Sequence, residues 1–169
     1  MPSDPESDPT HETAAAMQPL DPDQIKVMRI RAALVSVMPL VIAFVLDLGP
    51  LRETPVPEYA LPGAVLLIVL YAVLVLPGRR YRAWGYAEGE DELAVRRGVL
   101  VRTRTIVPFG RVQHIDVAQG PIERRYGLAT LILHTAGTRS ASVALPGLRH
   151  ADAEAMRDRI RAKIRQDLV

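Results

Sequence analysis

Two apolar stretches decide the fold class of this chain: residues 32–46 read AALVSVMPLVIAFVL, and residues 59–77 read YALPGAVLLIVLYAVLVLP. The first continues past Asp47 to Leu51 and so carries one charge near its end, whereas the second carries none. A helix rises about 1.5 Å per residue, so about 20 residues cross a hydrocarbon core of roughly 30 Å. Unpaired backbone amides are costly in lipid, which favours the helical form. The stretches therefore predict a membrane α-helical hairpin, with helices at about residues 32–51 and 59–77.

The charge distribution divides the rest of the sequence. Residues 1–24 hold six acidic residues, five prolines and no Lys or Arg, which predicts a disordered acidic, proline-rich N-terminal tail. Residues 25–169 hold all 21 basic residues, which flank the apolar stretches and form no long cationic arm. This pattern argues against a nucleic-acid partner. The chain has no cysteine, so disulfides and thiolate metal sites are excluded. Neither a Walker loop nor a GxGxxG motif is present to predict a cofactor.

The basic residues at the outer ends of the two apolar stretches predict the orientation of the hairpin. The connecting loop, residues 47–58, carries Arg52 as its single basic residue. The flanks carry six, namely Lys26, Arg29 and Arg31 before the first stretch and Arg79, Arg80 and Arg82 after the second. By the positive-inside rule, both termini of a multi-pass protein of the cell membrane then face the cytoplasm.

Residues 80–169 predict a separate cytoplasmic domain of the α+β class. Runs with β-branched residues alternate with turns that contain Gly and Pro, which is typical of antiparallel strands. The predicted strands cover residues 81–87, 93–97, 99–107, 112–118, 128–135 and 140–145. A helix is predicted from Ala151, because apolar residues recur there at three- and four-residue spacing: Ala153, Met156, Ile160, Ile164 and Leu168. An antiparallel sheet capped by a C-terminal helix follows from this order.

Four short motifs in this half carry a resemblance to a known family. Residues 111–117 read RVQHIDV, residues 119–129 read QGPIERRYGLA, residues 135–137 read TAG, and residues 145–148 read LPGL. Together with the two apolar stretches, the pattern over about residues 25–165 resembles the YdbS-like family of bacterial membrane proteins. Members carry a bacterial pleckstrin-homology-like (PH-like) domain after two membrane helices.

The resemblance implies a bent antiparallel sheet, or partial barrel, with the C-terminal helix across one end. It implies no enzyme. It implies a protein partner, such as a larger membrane protein with several PH-like domains. Lipid binding does not carry over, because no phosphoinositide-type basic motif matches residue by residue.

Two groups of residues are predicted to contact a partner or anionic lipid headgroups. The first is a basic hairpin formed by Arg96, Arg97, Arg102 and Arg104. Near an anionic leaflet each guanidinium contributes on the order of 1 kcal/mol. The alternative for this group is a solvated strand face. The second is the loop 119–127, where a charged run could recognise a carboxylate or phosphate: Glu123, Arg124 and Arg125. A structural loop with Glu123 paired to an arginine is the alternative.

His114 and Asp116 form a weaker candidate, since residues two apart on a strand share a face. Such a pair could bind a metal or act in acid–base catalysis, but cross-strand polar packing is the simpler interpretation. The aromatic residues Trp84, Tyr86 and Phe109 fit either a headgroup belt or the domain core.

The function predicted from these features is that of a non-enzymatic, membrane-anchored interaction or scaffold module at the cytoplasmic face of the membrane. It would be part of a membrane complex. The alternatives are a module that senses lipid headgroups, and an accessory subunit of a membrane transporter or enzyme.

Overall fold

The computed structural model describes residues 17–55, 57–136 and 142–166. Helix α1 spans Gln24–Leu48. The second long helix, Ala60–Ala83, is continuous and consists of α2 (Ala60–Leu70), a π-helical turn (Tyr71–Val75) and α3 (Leu76–Ala83). The most apolar segments of the two long helices have mean hydropathies of 2.0 and 2.5, yet 11% and 6% of them are buried. They are therefore not core helices of a soluble domain, and the predicted apolar hairpin is confirmed.

Asp47 closes the tip of the hairpin. Its side chain is 7% exposed, and both carboxylate oxygens accept a hydrogen bond from the backbone N–H of Tyr59, at 3.2 and 3.1 Å. Tyr59 immediately precedes α2, so the carboxylate satisfies one of the backbone donors that a helix leaves unpaired at its start. The single charge of the first apolar stretch thus links its helix to the second.

Replacing Asp47 with alanine should weaken this link by about 0.5–2 kcal/mol, the usual cost of removing a side-chain acceptor at a helix start. The measurement is an SDS-unfolding titration of the full-length protein, followed by far-UV circular dichroism. Asp47→Asn keeps one oxygen acceptor and should retain most of the stability. An unchanged midpoint for Asp47→Ala would show that the hydrogen bonds do not hold the hairpin.

In the described part of the chain, six antiparallel strands follow the hairpin and form two three-stranded sheets. The first sheet, in the order β1-β2-β3, consists of Gly85–Glu88, Glu92–Arg97 and Thr103–Pro108. The second, in the order β4-β5-β6, consists of Val112–Ala118, Leu128–Thr135 and Ser142–Arg149. A 3-10 turn, Phe109–Arg111, joins the sheets, and the short helix α4 (Pro121–Arg125) joins β4 to β5. This arrangement confirms the antiparallel α+β domain.

Helix α5, His150–Gln166, caps the sheets. Its predicted apolar stripe faces the core, where Ala153, Met156 and Ile160 are buried and Ile164 is partly buried. The fifth predicted member, Leu168, lies outside the described residues. The core between the sheets and α5 also holds Phe109, the largest of the fully buried side chains.

Three strand predictions need correction. The strand predicted at residues 81–87 begins only at Gly85, because the second long helix continues through Ala83 with basic residues in its last turn, where they complement the helix dipole. The strand predicted at 99–107 begins at Thr103, because Gly98 has φ of +108° and opens a loop over residues 98–102. The last strand continues to Arg149 instead of ending at residue 145, because a register shift opposite β5 accommodates the proline and glycine.

The predicted disordered tail also ends earlier than residue 24. Residues 17–23 are placed against the β-domain, and Leu20 is 2% exposed within the core. Gln18 pairs with Tyr86 as an antiparallel bridge, with N–O distances of 2.7 and 3.0 Å. One apolar side chain and two backbone hydrogen bonds thus order a segment whose composition predicts disorder. Residues 1–16 lie outside the described part of the chain.

Candidate functional site

The first turn of α1 is built into the β-domain. Gln24 is 2% exposed and lies against Gly147 of β6. Arg149, at the end of β6, donates from Nε to Asp21 at 2.6 Å and from Nη2 to Asp23 at 3.4 Å. These contacts fix the start of the first long helix on the domain. We call this set of contacts, between residues 17–31 and the β-domain, the junction.

The electrostatics of the junction favour its charged state. A hydrogen bond from Lys26 lowers the pKa of Asp23 below its usual value, and the charges of Lys26 and Arg149 act in the same direction. The Lys26 ammonium also lies 5.8 Å from the ring centroid of Tyr126, a cation–π distance. The Asp23–Lys26 ion pair of the junction therefore stays charged at neutral pH.

Glu123 connects the junction to α4. Its carboxylate is buried, at 3% residue exposure, and accepts hydrogen bonds from the Gly120 N–H at 2.8 Å and the Thr130 hydroxyl at 3.0 Å. The Arg31 guanidinium of α1 lies 3.1 Å from it. The loop predicted at residues 119–127 is thus partly helical, because Pro121 suits a first helical turn and Glu123 satisfies the preceding N–H. Glu123 pairs with Arg31 and not with either neighbouring arginine.

Glu123→Ala should destabilise the β-domain by about 1.5–3 kcal/mol, because it leaves a buried N–H, a hydroxyl and a guanidinium without their charged acceptor. Glu123→Gln keeps the shape and should cost less. Urea unfolding of the full-length protein, followed by the fluorescence of its one tryptophan, gives the values. As a matched control, Glu154→Ala removes a half-exposed carboxylate and should stay within about 0.5 kcal/mol of wild type. Equal losses for Glu123→Ala and the control would contradict this role.

Arg124 and Arg125 take no part in this structural contact. Both are exposed, and neither side chain makes an ion pair with any carboxylate in the described residues. Because Glu123 holds α4 against α1, the two guanidinium groups are displayed on a fixed support close to the start of the first long helix. The structure therefore separates the three residues of the predicted loop site into one structural carboxylate and two available cations.

The basic hairpin is only partly assembled as predicted. Arg96 and Arg104 face each other across β2 and β3, with Arg97 opposite Thr103, while Arg102 lies in the loop before β3. Arg96 and Arg102 line a cavity of about 300 Å³ next to α3. Arg79 and Arg82 also line this cavity. The sequence identified them only as basic residues that flank the second apolar stretch. Their position directly after an apolar span was the sequence signal that could have identified them as candidates for contact with lipid headgroups.

His114 and Asp116 do share a face, and a third residue joins them. The Nε2 atoms of His114 and His134 lie 2.7 and 3.1 Å from the two oxygens of Asp116, because β4 and β5 pair the histidines directly. All three side chains are 40–63% exposed. Within the described residues no group of three such side chains has a geometry that could hold a metal ion. The cluster fits cross-strand polar packing.

The aromatic residues belong to the domain core. Phe109 is fully buried, and Trp84 and Tyr86 pack against the same cluster of apolar side chains. Burial raises the pKa of Tyr86, and nearby Asp152 and Glu88 add to the effect. Trp84 and Tyr86 therefore serve packing where the second long helix passes into β1, and Phe109 does so in the turn between the two sheets.

These features define a class of protein: an apolar helical hairpin joined through α1 to a PH-like domain of two antiparallel sheets and a capping helix. The chain matches the family described as Bacterial PH domain over residues 32–164, and it belongs to that family. The matched range includes the apolar helices as well as the strands. No solved structure matches the chain.

A curated relative agrees with this assignment. The chain is 35% identical over 143 residues to the UPF0699 transmembrane protein YdbS of Bacillus subtilis (strain 168). The match covers 83% of this chain and 88% of the relative. The resemblance found in the sequence motifs is therefore confirmed, and the chain is a membrane protein with a PH-like domain.

Proposed function

We propose that this protein is a non-enzymatic interaction module that the helical hairpin holds at the cytoplasmic face of the membrane, with both termini in the cytoplasm. The observation that carries the proposal is the junction. Ion pairs and a buried glutamate tie the first long helix to the β-domain, so the membrane anchor fixes which face of the domain is turned to the bilayer and which to a partner. A flexibly tethered domain would lack this fixed orientation.

The proposed partner surface is formed by Arg124 and Arg125 on α4. Two exposed guanidinium groups without carboxylate partners in the described residues suit acidic side chains of another membrane protein, because arginine recognises carboxylates in a bidentate geometry. The family resemblance suggests a larger protein with PH-like domains for this role. The exposed His114–Asp116–His134 cluster gives no support for an enzyme.

Crosslinking in native membranes tests the proposal. The full-length protein is crosslinked and purified, and copurifying proteins are identified for wild type, for Arg124→Ala/Arg125→Ala and for Arg161→Ala/Arg165→Ala. The last variant removes two exposed arginines from α5 and is the control for net charge. A defined membrane protein lost only from the first variant supports the proposal. A partner that both variants retain equally would contradict the α4 surface and favour assembly through the hairpin.

A further inference from the structure

The cavity between α3 and the β2–β3 loop concentrates positive charge. Four arginines line it together with Gly98 and Val99: Arg79, Arg82, Arg96 and Arg102. No acidic side chain lines it, and none of the four guanidinium groups makes an ion pair within the described residues. Arg79 donates to the Tyr71 hydroxyl at 2.9 Å, which is a neutral partner. Several arginines elsewhere pair with carboxylates, such as Arg149 with Asp21 and Arg159 with Glu88.

This uncompensated charge suits a phosphate group. Arginine forks bind phosphate oxygens in bidentate fashion, and several of them around one cavity repel each other until an anion is bound. The cavity of about 300 Å³ is large enough for a phosphate with its glycerol substituent. An uncharged or cationic ligand would leave the repulsion in place.

The position of the cavity indicates where the phosphate comes from. Arg79 and Arg82 lie in the last turns of the second long helix, directly after its apolar segment. The opposite wall is the β2–β3 loop, whose tip is apolar and exposed: Leu100 is 97% exposed and Val101 is 78% exposed. An exposed apolar tip beside a basic pocket is the pattern of surfaces that enter the boundary between headgroups and acyl chains. A soluble phosphate compound would gain nothing from such a tip.

We propose that this pocket binds the phosphate of an anionic phospholipid headgroup, while the tip 99–101 enters the adjacent leaflet. The inference depends on the hairpin lying in the membrane, but not on the protein partner proposed for α4. The β-domain would then touch the bilayer at a second point besides the helices. This second contact would fix its tilt.

Lipid retention by the full-length protein tests this site. The protein in detergent is incubated with phosphatidylglycerol or phosphatidylcholine, and native mass spectrometry counts the lipid that stays bound. Wild type should retain phosphatidylglycerol over phosphatidylcholine. Arg96→Ala/Arg102→Ala should lose affinity for phosphatidylglycerol about tenfold or more, given the usual contribution of basic residues at anionic surfaces. Arg161→Ala/Arg165→Ala should behave as wild type, because α5 packs on the opposite end of the first sheet, where Lys163 reaches the β1–β2 turn.

Three outcomes would overturn the inference. Equal retention by the pocket variant and the α5 control would show that net charge, and not the pocket, holds the lipid. Retention of phosphatidylcholine as tight as that of phosphatidylglycerol would exclude an anionic site. Binding of inorganic phosphate as tight as that of phosphatidylglycerol, measured by calorimetry, would assign the pocket to a soluble anion.

A second variant distinguishes loss of the binding site from misfolding of the protein. Arg96→Lys/Arg102→Lys keeps the charge and loses the fork geometry, so its affinity should fall between wild type and the alanine variant. Loss of lipid with unchanged protein crosslinks supports the lipid site alone, so the two proposals fail independently.

Discussion

The Gly147→Ala variant is expected to lose about 2–5 kcal/mol of stability, because a left-handed backbone costs alanine energy and the added methyl overpacks a filled contact. Gly147 has φ of +71°, and a Cβ atom there would lie 2.8 Å from Cγ of Gln24 and 3.0 Å from its Cβ. Gln24 is buried in the first turn of α1, so the methyl must push the helix away from β6. The same strand position also accepts the Asp21 N–H at 2.9 Å. The junction should therefore open locally.

Gly127→Ala is the matched control for this variant. Gly127 also has a left-handed backbone, with φ of +64°, but a Cβ atom there would meet no atom within 4 Å. It should lose only the backbone cost of about 1–2 kcal/mol. Urea unfolding of both full-length variants, monitored by Trp84 fluorescence, gives the difference between their free energies of unfolding. Equal losses for the two glycines would show that Gln24 does not pack against β6 as described.

Phe109→Ala should cost about 3–5 kcal/mol, the usual range for emptying a fully buried aromatic site. Phe109 is 0% exposed and lies in the turn that joins the two sheets, where its N–H donates to the Asp91 carbonyl at 2.8 Å. The Lys163 ammonium of α5 lies 5.3 Å from its ring centroid. The ring belongs to the cluster of buried side chains that both sheets and α5 contribute, so its loss leaves a cavity in their common core.

Trp84 fluorescence reports this loss as well, because Trp84 is the single tryptophan and packs against the same core. Phe109→Leu refills part of the site and should lose clearly less than the alanine variant. A shift below about 0.5 kcal/mol for Phe109→Ala would place the ring outside the core, since surface substitutions have effects of that size.

The sequence predicted those elements whose signal is local. The apolar spans are long and hold a single charge, Asp47, between them, and the strands Val112–Ala118 and Leu128–Thr135 were predicted with their observed bounds. The first strand was predicted too early, because Pro77 and Gly78 mark a break at the end of the apolar stretch, yet the helix continues past them to Ala83. Residues 17–23 were assigned to a disordered tail, because composition does not reveal that Leu20 enters a core built from residues about 70 or more positions later.

The candidate site was harder to predict for the same reason. Glu123 was grouped with its sequence neighbours, yet apart from the Gly120 N–H its partners are Arg31 and Thr130, which the packing of α4 on α1 and on β5 brings close. The predicted basic hairpin included Arg96 and Arg102, two of the arginines that line the cavity. The other two, Arg79 and Arg82, come from the second long helix and were not predicted to lie beside them. The charge of each residue can be read from the sequence, whereas the residues that surround it in the fold depend on long-range contacts.

Labelling of single cysteines in intact bacterial cells tests the central claim, that the hairpin holds the β-domain at the cytoplasmic face. The chain has no native cysteine, so Thr54→Cys in the loop between the long helices and Gly110→Cys in the β-domain each report one exposed position. A membrane-impermeant maleimide should label Thr54→Cys in intact cells and Gly110→Cys only after the membrane is permeabilised. Labelling of Gly110→Cys in intact cells would contradict the claim, because the β-domain would then lie outside the cell.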